Sequence, residues 1–290
     1  MTVLSNSCIM SEFILLRQTM IMSEEKTSPI LTALFSLFPI LLLLSTDIFT
    51  LFLSSQAKAI SHLAFAVLIA QLCCILVFTK GQICPGQRGR LSQVNLYFVI
   101  FWGIWLLLSL FSNYHFILTD MLSLCGIAVA IAIWQQPEEA KLRRSMLFIA
   151  SLIGGVGCLC YCLMFIEIPP RYWGQYSLFA QVLVGIILAN LALVISRNRL
   201  QGFIGLLPFL MLIALLLNAI SVLSLLLYFS SAVYFVNQLA FVLYFVLHLV
   251  IAMFIAVHIF KKWVFSYTTL SILLFMSASL PLWASFAFIQ

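Results

Sequence analysis

Apolar residues run through this chain in nine stretches, approximately 30–54, 59–79, 93–112, 116–134, 145–168, 177–195, 203–227, 233–260 and 264–288. Each is near the roughly 20 residues an α-helix needs to cross the hydrocarbon of a bilayer. The polar gaps between them are short, so successive helices are predicted to be antiparallel neighbours. No gap is long enough for a domain outside the membrane. The pattern predicts an all-α integral membrane helical bundle of about nine transmembrane helices, with residues 29–290 as one polytopic domain. Pro39 and Asp47 interrupt the first stretch and make it the least regular of the nine.

The basic residues give this ladder a direction. The gaps before the first stretch and after the second, fourth, sixth and eighth hold Arg17, Lys26, Lys80, Arg88, Arg90, Lys141, Arg143, Arg144, Arg197, Arg199, Lys261 and Lys262. The other gaps hold only Lys58 and Arg171. Lysine and arginine collect in the cytoplasmic loops of membrane proteins. The N-terminus is therefore expected inside and the C-terminus outside. Trp134 and Trp263 fall at the inner boundary, and Tyr114, Tyr172, Trp173 and Tyr228 at the outer one, as interfacial aromatics do.

Composition then excludes several classes. Only 8% of residues are charged and the mean hydropathy is +1.20, against about 25% charged in soluble domains. The net charge of +6 is spread over short loops with no basic helix face. It reads as orientation charge facing anionic lipid, and no nucleic-acid partner is expected. The eight cysteines show no zinc-ligand spacing. Cys158, Cys160 and Cys162 share one helix, where Cys160 points away from the other two. Residues 1–28 have no apolar core of the kind a signal peptide carries. They read as a cytoplasmic tail, and Met22 opens a string, Met-Ser-Glu-Glu-Lys, that resembles a natural start. Gly154, Gly155 and Gly157 would permit close helix packing.

With direction fixed, each polar residue inside a stretch acquires a depth. Asp47 lies in the outer half of the first helix and His62 at the outer start of the second. His115 and Asp120 flank the outer start of the fourth, and Glu167 ends the fifth. Asn218, Asn237 and Gln238 fall in the outer half, while the inner half holds mainly Asn190 and His258. Ionisable residues in membrane spans are costly and mark candidate sites. Tyr234, Asn237, Phe241, Tyr244 and His248 recur at steps of three and four, so they form one stripe that should face the bundle interior. Such a stripe suits interhelical hydrogen bonding or one wall of a cavity for an amphipathic ring such as a quinone. Asp47, His115, Asp120, Tyr244 and His248 are the candidate quinol and proton site. No covalently bound cofactor is implied. Bound haem is not expected, since only His62 and His115 share a depth and b-type haem needs a facing pair. Walker, GxSxG and HExxH motifs are absent from the sequence.

From Glu139 to about Leu225 the chain resembles a known family. A basic hairpin (Lys141, Arg143, Arg144) leads into a span ending in Ile168-Pro169-Pro170-Arg171-Tyr172-Trp173. A span with Phe179 and Gly185 follows, then a basic turn and Leu206-Leu207-Pro208. These features resemble the membrane-anchor subunit of dimethyl sulfoxide reductase. The resemblance implies a bacterial inner-membrane anchor that takes electrons from menaquinol near the outer face. It also implies iron–sulfur and molybdenum-containing partner subunits in anaerobic respiration. The chain departs from that family in having one extra N-terminal span. His115 is followed by Phe116 and Ile117 rather than by the family's Leu-Gly. The alternative expectation is a small-solute permease or exporter using Asp47, Asn218, Asn237 and His248, or a membrane assembly factor without a ligand. A pathway should carry polar groups through the full thickness, and on sequence the inner half is poor in them.

Overall fold

The computed structural model describes residues 29–53, 58–81, 83–113, 115–198, 200–228 and 237–288. The tail 1–28 with its candidate start at Met22, and Tyr114, Arg199 and Tyr234, lie outside the described residues. Two compact units are distinguished, residues 1–35 and 36–290. Of the first, the described residues are the opening turns of helix α1. The bundle packing concerns the second.

The helices are α1 (Pro29–Leu53), α2 (Ala64–Lys80), α3 (Pro85–Leu96), α4 (Phe98–Phe111), α5 (Ile117–Trp134), α6 (Ala140–Glu167), α7 (Leu178–Ile195), α8 (Gln201–Tyr228), α9 (Gln238–Lys261), α10 (Tyr267–Ala278) and α11 (Leu280–Phe288), with a short 3-10 turn at Pro170–Tyr172. Among the described residues, eight helices or helix pairs are long and apolar enough to cross a membrane, and α2 is a shorter apolar helix of 17 residues. The protein is an all-helical, multi-pass integral membrane protein. Leucines and phenylalanines on the outer helix faces stay exposed, for example Phe52, Phe111, Leu159, Leu227 and Leu249, as lipid-facing surface requires.

Two expected spans are each broken in two, the second at a proline. Pro85 sits at the first position of α3, where its missing N–H costs nothing, and the helix pauses at Tyr97 before α4. The last span divides at Ser279, just before Pro281, which cannot donate to the preceding turn. By contrast α1 and α8 run through Pro39 and Pro208 without interruption.

α7 is the centre of the bundle. It is buried along most of its length and packs against α2, α8 and α10, with α3 touching its inner end. α2 and α7 run in the same direction. The Phe65 N–H meets Gln181 at their outer ends, Gly185 abuts Ala66 and Ile69 one turn further in, and Gly81 meets Leu200 near the inner end. A Cβ on Gly185 would meet the Ala66 carbonyl oxygen at 2.7 Å, so glycine is what allows this approach. Of the glycines on α6, Gly154 and Gly157 face Leu72 and Leu68 of α2, while Gly155 has open space.

The basic face is tied down by its own charges. α7 and α9 are each followed by a left-handed residue with φ of 53°, Arg197 and Lys262. Glycine usually fills that position. Here a cation stands at the negative end of the helix dipole instead. Arg90 Nε donates to the Ser196 carbonyl at 3.1 Å and Gln87 to the Arg197 carbonyl at 3.1 Å, closing the end of α7 with side chains from α3.

Candidate functional site

The second apolar stretch was expected to be helical from residue 59, but α2 begins only at Ala64. Ala59–Leu63 form a non-helical segment that is buried throughout. Backbone polar groups inside a membrane protein must be satisfied by neighbouring protein, and three helices supply the partners. Asp47 of α1, fully buried, accepts the His62 N–H at 2.8 Å and a short hydrogen bond from the Ser61 hydroxyl. Thr119 of α5 donates to the Ala59 carbonyl at 2.8 Å. Gln181 of α7 accepts the Phe65 N–H at 3.0 Å. Gln181 thus serves the first turn of α2 in trans, while Asp47 anchors the unwound segment that leads into the helix.

Anchoring does not use up the chemistry of this cluster. The His62 ring is fully buried, with Nδ1 3.4 Å from Asp47 Oδ1. It stacks on Tyr176 at 4.2 Å between ring centres. Neither ring nitrogen makes a hydrogen bond with the described residues. An acid and a base side by side at membrane depth can hold one proton between them and release it as a unit. Around them, Gln181 bonds the Tyr161 hydroxyl and the Tyr176 carbonyl, and Tyr161 stacks on Phe65.

A second polar cluster joins α7, α8 and α9. The Ser177 hydroxyl donates to Asn218 Oδ1 at 2.6 Å. The Asn218 amide nitrogen reaches the Tyr244 hydroxyl at 3.0 Å and His248 Nε2 at 2.7 Å. His248 Nδ1 lies 2.9 Å from the Tyr244 carbonyl. These contacts are consistent only if His248 is neutral, with the proton on Nδ1 and Nε2 accepting. Beside Ser177, an aromatic cleft of about 200 Å³ is lined by Phe165, Trp173, Phe179 and Ser221 among others. Tyr244 and His248 face Asn218 and do not line that cleft.

The predicted site residues therefore fall into three places. Asp47 joins His62. Tyr244 and His248 lie inward on α9, as their stripe requires, while Asn237 caps that helix through the Ala240 N–H at 3.2 Å. His115 and Asp120 pair with each other at 3.4 Å at the start of α5, His115 half exposed in the preceding loop. Near them, at the outer ends, Lys58 bonds Glu167 at 2.7 Å and lies over the Phe116 ring.

Of the buried amides, sequence reasoning named Asn190 and Asn218 but missed Gln71, Gln181 and Asn95. Gln71 on α2 donates to the Gly126 carbonyl at 3.1 Å and accepts from Trp102 Nε1 at 3.1 Å. Further toward the basic face, Asn95 and Asn190 are fully buried. Asn190 has no hydrogen-bond partner for either amide atom, and Asn95 none for its oxygen. Asn190 lies nine positions inward of Gln181 on α7, roughly 13 Å along the axis. The inner half is accordingly not poor in polar groups. A lone glutamine or asparagine in an apolar run is the signal that could have shown this.

Comparison with known proteins gives the family. A family model described as an integral membrane domain matches residues 26–286. A Haemophilus influenzae protein, described as an uncharacterized protein, is 47% identical over 265 residues, covering 91% of this chain and 99% of its own. No solved structure matches. The resemblance to the dimethyl sulfoxide reductase anchor is corrected by these matches, which span nearly the whole chain and belong elsewhere. The features that suggested it were a basic hairpin, an aromatic turn at the outer boundary and a proline in a span. Membrane physics imposes these on polytopic proteins generally, so they do not distinguish one family from another. The expected iron–sulfur and molybdenum partners followed from that resemblance alone. From residue 26 to residue 286 the chain belongs to the integral membrane domain family.

Proposed function

We propose that this protein is a proton-linked permease for a small solute in the cytoplasmic membrane of a bacterium. Asp47 and His62 form its protonation site. The observation that carries this reading is the fully buried Asp47–His62 pair, whose imidazole nitrogens have no hydrogen bond among the described residues. It stands at the unwound start of α2. Interrupted helices with a polar residue at the break are a recurrent way to build a binding site in transporters.

The polar column that follows supports the same reading. Asp47, His62 and Gln181 lie toward the outer side, Gln71 and Trp102 in the middle, and Asn190 and Asn95 toward the basic face. A pathway needs polar groups through the whole thickness, and α2 with α7 supplies them. The quinol reading draws less support. Tyr244 and His248 are engaged with Asn218, and the aromatic cleft offers Ser177 and Ser221 as its hydroxyl groups. Menaquinol in that cleft is the second reading.

The test uses purified protein in liposomes loaded with a pH-sensitive dye. Neutral amino acids, dicarboxylates and hexoses are added in turn. At least one class should move protons with the native protein and none with Asp47→Asn. Proton movement unchanged by Asp47→Asn, or none with any class, would overturn the reading. Bound menaquinone in stoichiometric amount would favour the second.

A further inference from the structure

On the basic face, a cleft of about 550 Å³ opens between the start of α3 and the connection from α5 to α6. Arg88, Ser92 and Gln93 come from α3, Trp134 and Gln136 from the end of α5, and Arg143 from α6. Two guanidinium groups, those of Arg88 and Arg143, thus line one cleft. Like charges brought together in a partly dehydrated place are unfavourable unless something of opposite sign lies between them.

The described residues do not provide it. Neither guanidinium has a carboxylate oxygen within the 4.0 Å of an ion pair, although Glu138 also lines the cleft. Arg143 is held by backbone, donating to the Glu138 carbonyl at 2.9 Å. Arg90, two residues away on α3, is spent on the end of α7. Arg88 is different, since its Nε is buried and has no hydrogen-bond partner. The Gln136 side-chain oxygen Oε1 is buried and unpartnered too, and it can accept from a hydroxyl.

We propose that this cleft binds the phosphate of an anionic glycerophospholipid. Arg88 and Arg143 grip the phosphate oxygens, and Gln136 and Ser92 meet headgroup hydroxyls. A planar guanidinium with several fixed donors suits phosphate oxygens better than an ammonium does. The lip explains why the phosphate comes on a lipid. Trp134 is exposed at the end of α5 and Leu96 lines the wall, so an interfacial indole and an apolar side chain flank the opening where acyl chains would lie. Basic pockets between membrane helices on the cytoplasmic side are suited to anionic headgroups. This site is separate from the Asp47–His62 pair, and its existence does not depend on transport.

The experiment is native mass spectrometry of the full chain in detergent, titrated with phosphatidylglycerol, phosphatidylcholine or inorganic phosphate. Phosphatidylglycerol adducts should persist where phosphatidylcholine adducts do not. Arg88→Gln and Arg143→Gln should each weaken phosphatidylglycerol binding about tenfold, the scale of one lost charge-assisted hydrogen bond. Arg88→Lys should recover only part of the loss, and Glu138→Gln should strengthen binding slightly. Unchanged melting temperatures show that the variants fold, and the Arg88→Lys to Arg88→Gln ordering reads the site even if one variant is less stable. Equal binding of both lipids, or phosphatidylglycerol binding indifferent to both arginines, would overturn the proposal. So would inorganic phosphate displacing the lipid at equal concentration, which would assign the cleft to a soluble phosphate compound.

Discussion

The two buried polar clusters of this bundle are built from similar residues and differ in how completely they are satisfied. In the Asn218 cluster each amide atom has a partner, and both nitrogens of His248 are engaged. In the Asp47 cluster the carboxylate holds Ser61 and the His62 N–H, yet the His62 ring nitrogens have no hydrogen bonds among the described residues. A closed network in a membrane interior fixes helix positions, because a displaced member would leave a polar group unsatisfied in an apolar medium. An open one retains the capacity to exchange a proton or meet a polar solute. Tyr244 and His248 on α9 thus clamp Asn218 on α8, while the proposed proton chemistry rests on Asp47 and His62.

The largest expected effect separates the two roles of Asp47. Asp47→Ala removes the acceptor for both Ser61 and the His62 N–H, and should destabilise the protein by about 3 kcal/mol, the scale for stranding buried polar groups. Asp47→Asn keeps an oxygen to accept the His62 N–H. It should melt close to the native protein in a thermal scan while losing proton movement. If both variants melted alike, the role of Asp47 in anchoring Ser61 and His62 would be wrong.

Asn218→Ala should come next. It breaks the contacts to Ser177, Tyr244 and His248 and should cost about 1–2 kcal/mol, while leaving the pH dependence of proton movement unchanged in the liposome assay. A shifted pH profile would merge the two clusters into one functional unit. His62→Phe keeps a flat ring against Tyr176 and should cost less than about 1 kcal/mol, within the range of shape-conserving core exchanges. It should abolish proton movement as fully as Asp47→Asn does. The smallest effect belongs to the Lys58–Glu167 pair at the outer ends. Both side chains are about half exposed, so Lys58→Gln should change stability by no more than about 0.5 kcal/mol. A larger drop in melting temperature would place that pair in the mechanism of holding α2.

Much of the architecture is legible from hydropathy and charge, because a bilayer imposes helix length and basic-residue placement on any chain. Asp47 is legible for the same reason, since a carboxylate in a span is conspicuous. Its purpose is not. The unwound segment Ala59–Leu63 opens an otherwise apolar run, and hydropathy cannot tell it from helix. Its partners, Asp47, Thr119 and Gln181, come from α1, α5 and α7, and Gln181 is 116 positions from Phe65. Gln71 likewise looks like an isolated amide until packing brings Trp102 and the Gly126 carbonyl to it. Of the stripe on α9, Tyr244 and His248 face inward and Phe241 is partly buried, as helical periodicity requires, while Asn237 is exposed at the cap. The stripe's engagement with Asn218 depends on how α8 and α9 pack.

Asp47 and His62 are proposed to share an exchangeable proton. Infrared difference spectroscopy of the membrane-reconstituted protein between acid and alkaline buffer tests this most directly. A protonated-carboxyl band should appear on acidification, vanish in Asp47→Asn and titrate at a different pH in His62→Phe. A band that persists in Asp47→Asn, or that titrates identically without the imidazole, would contradict it.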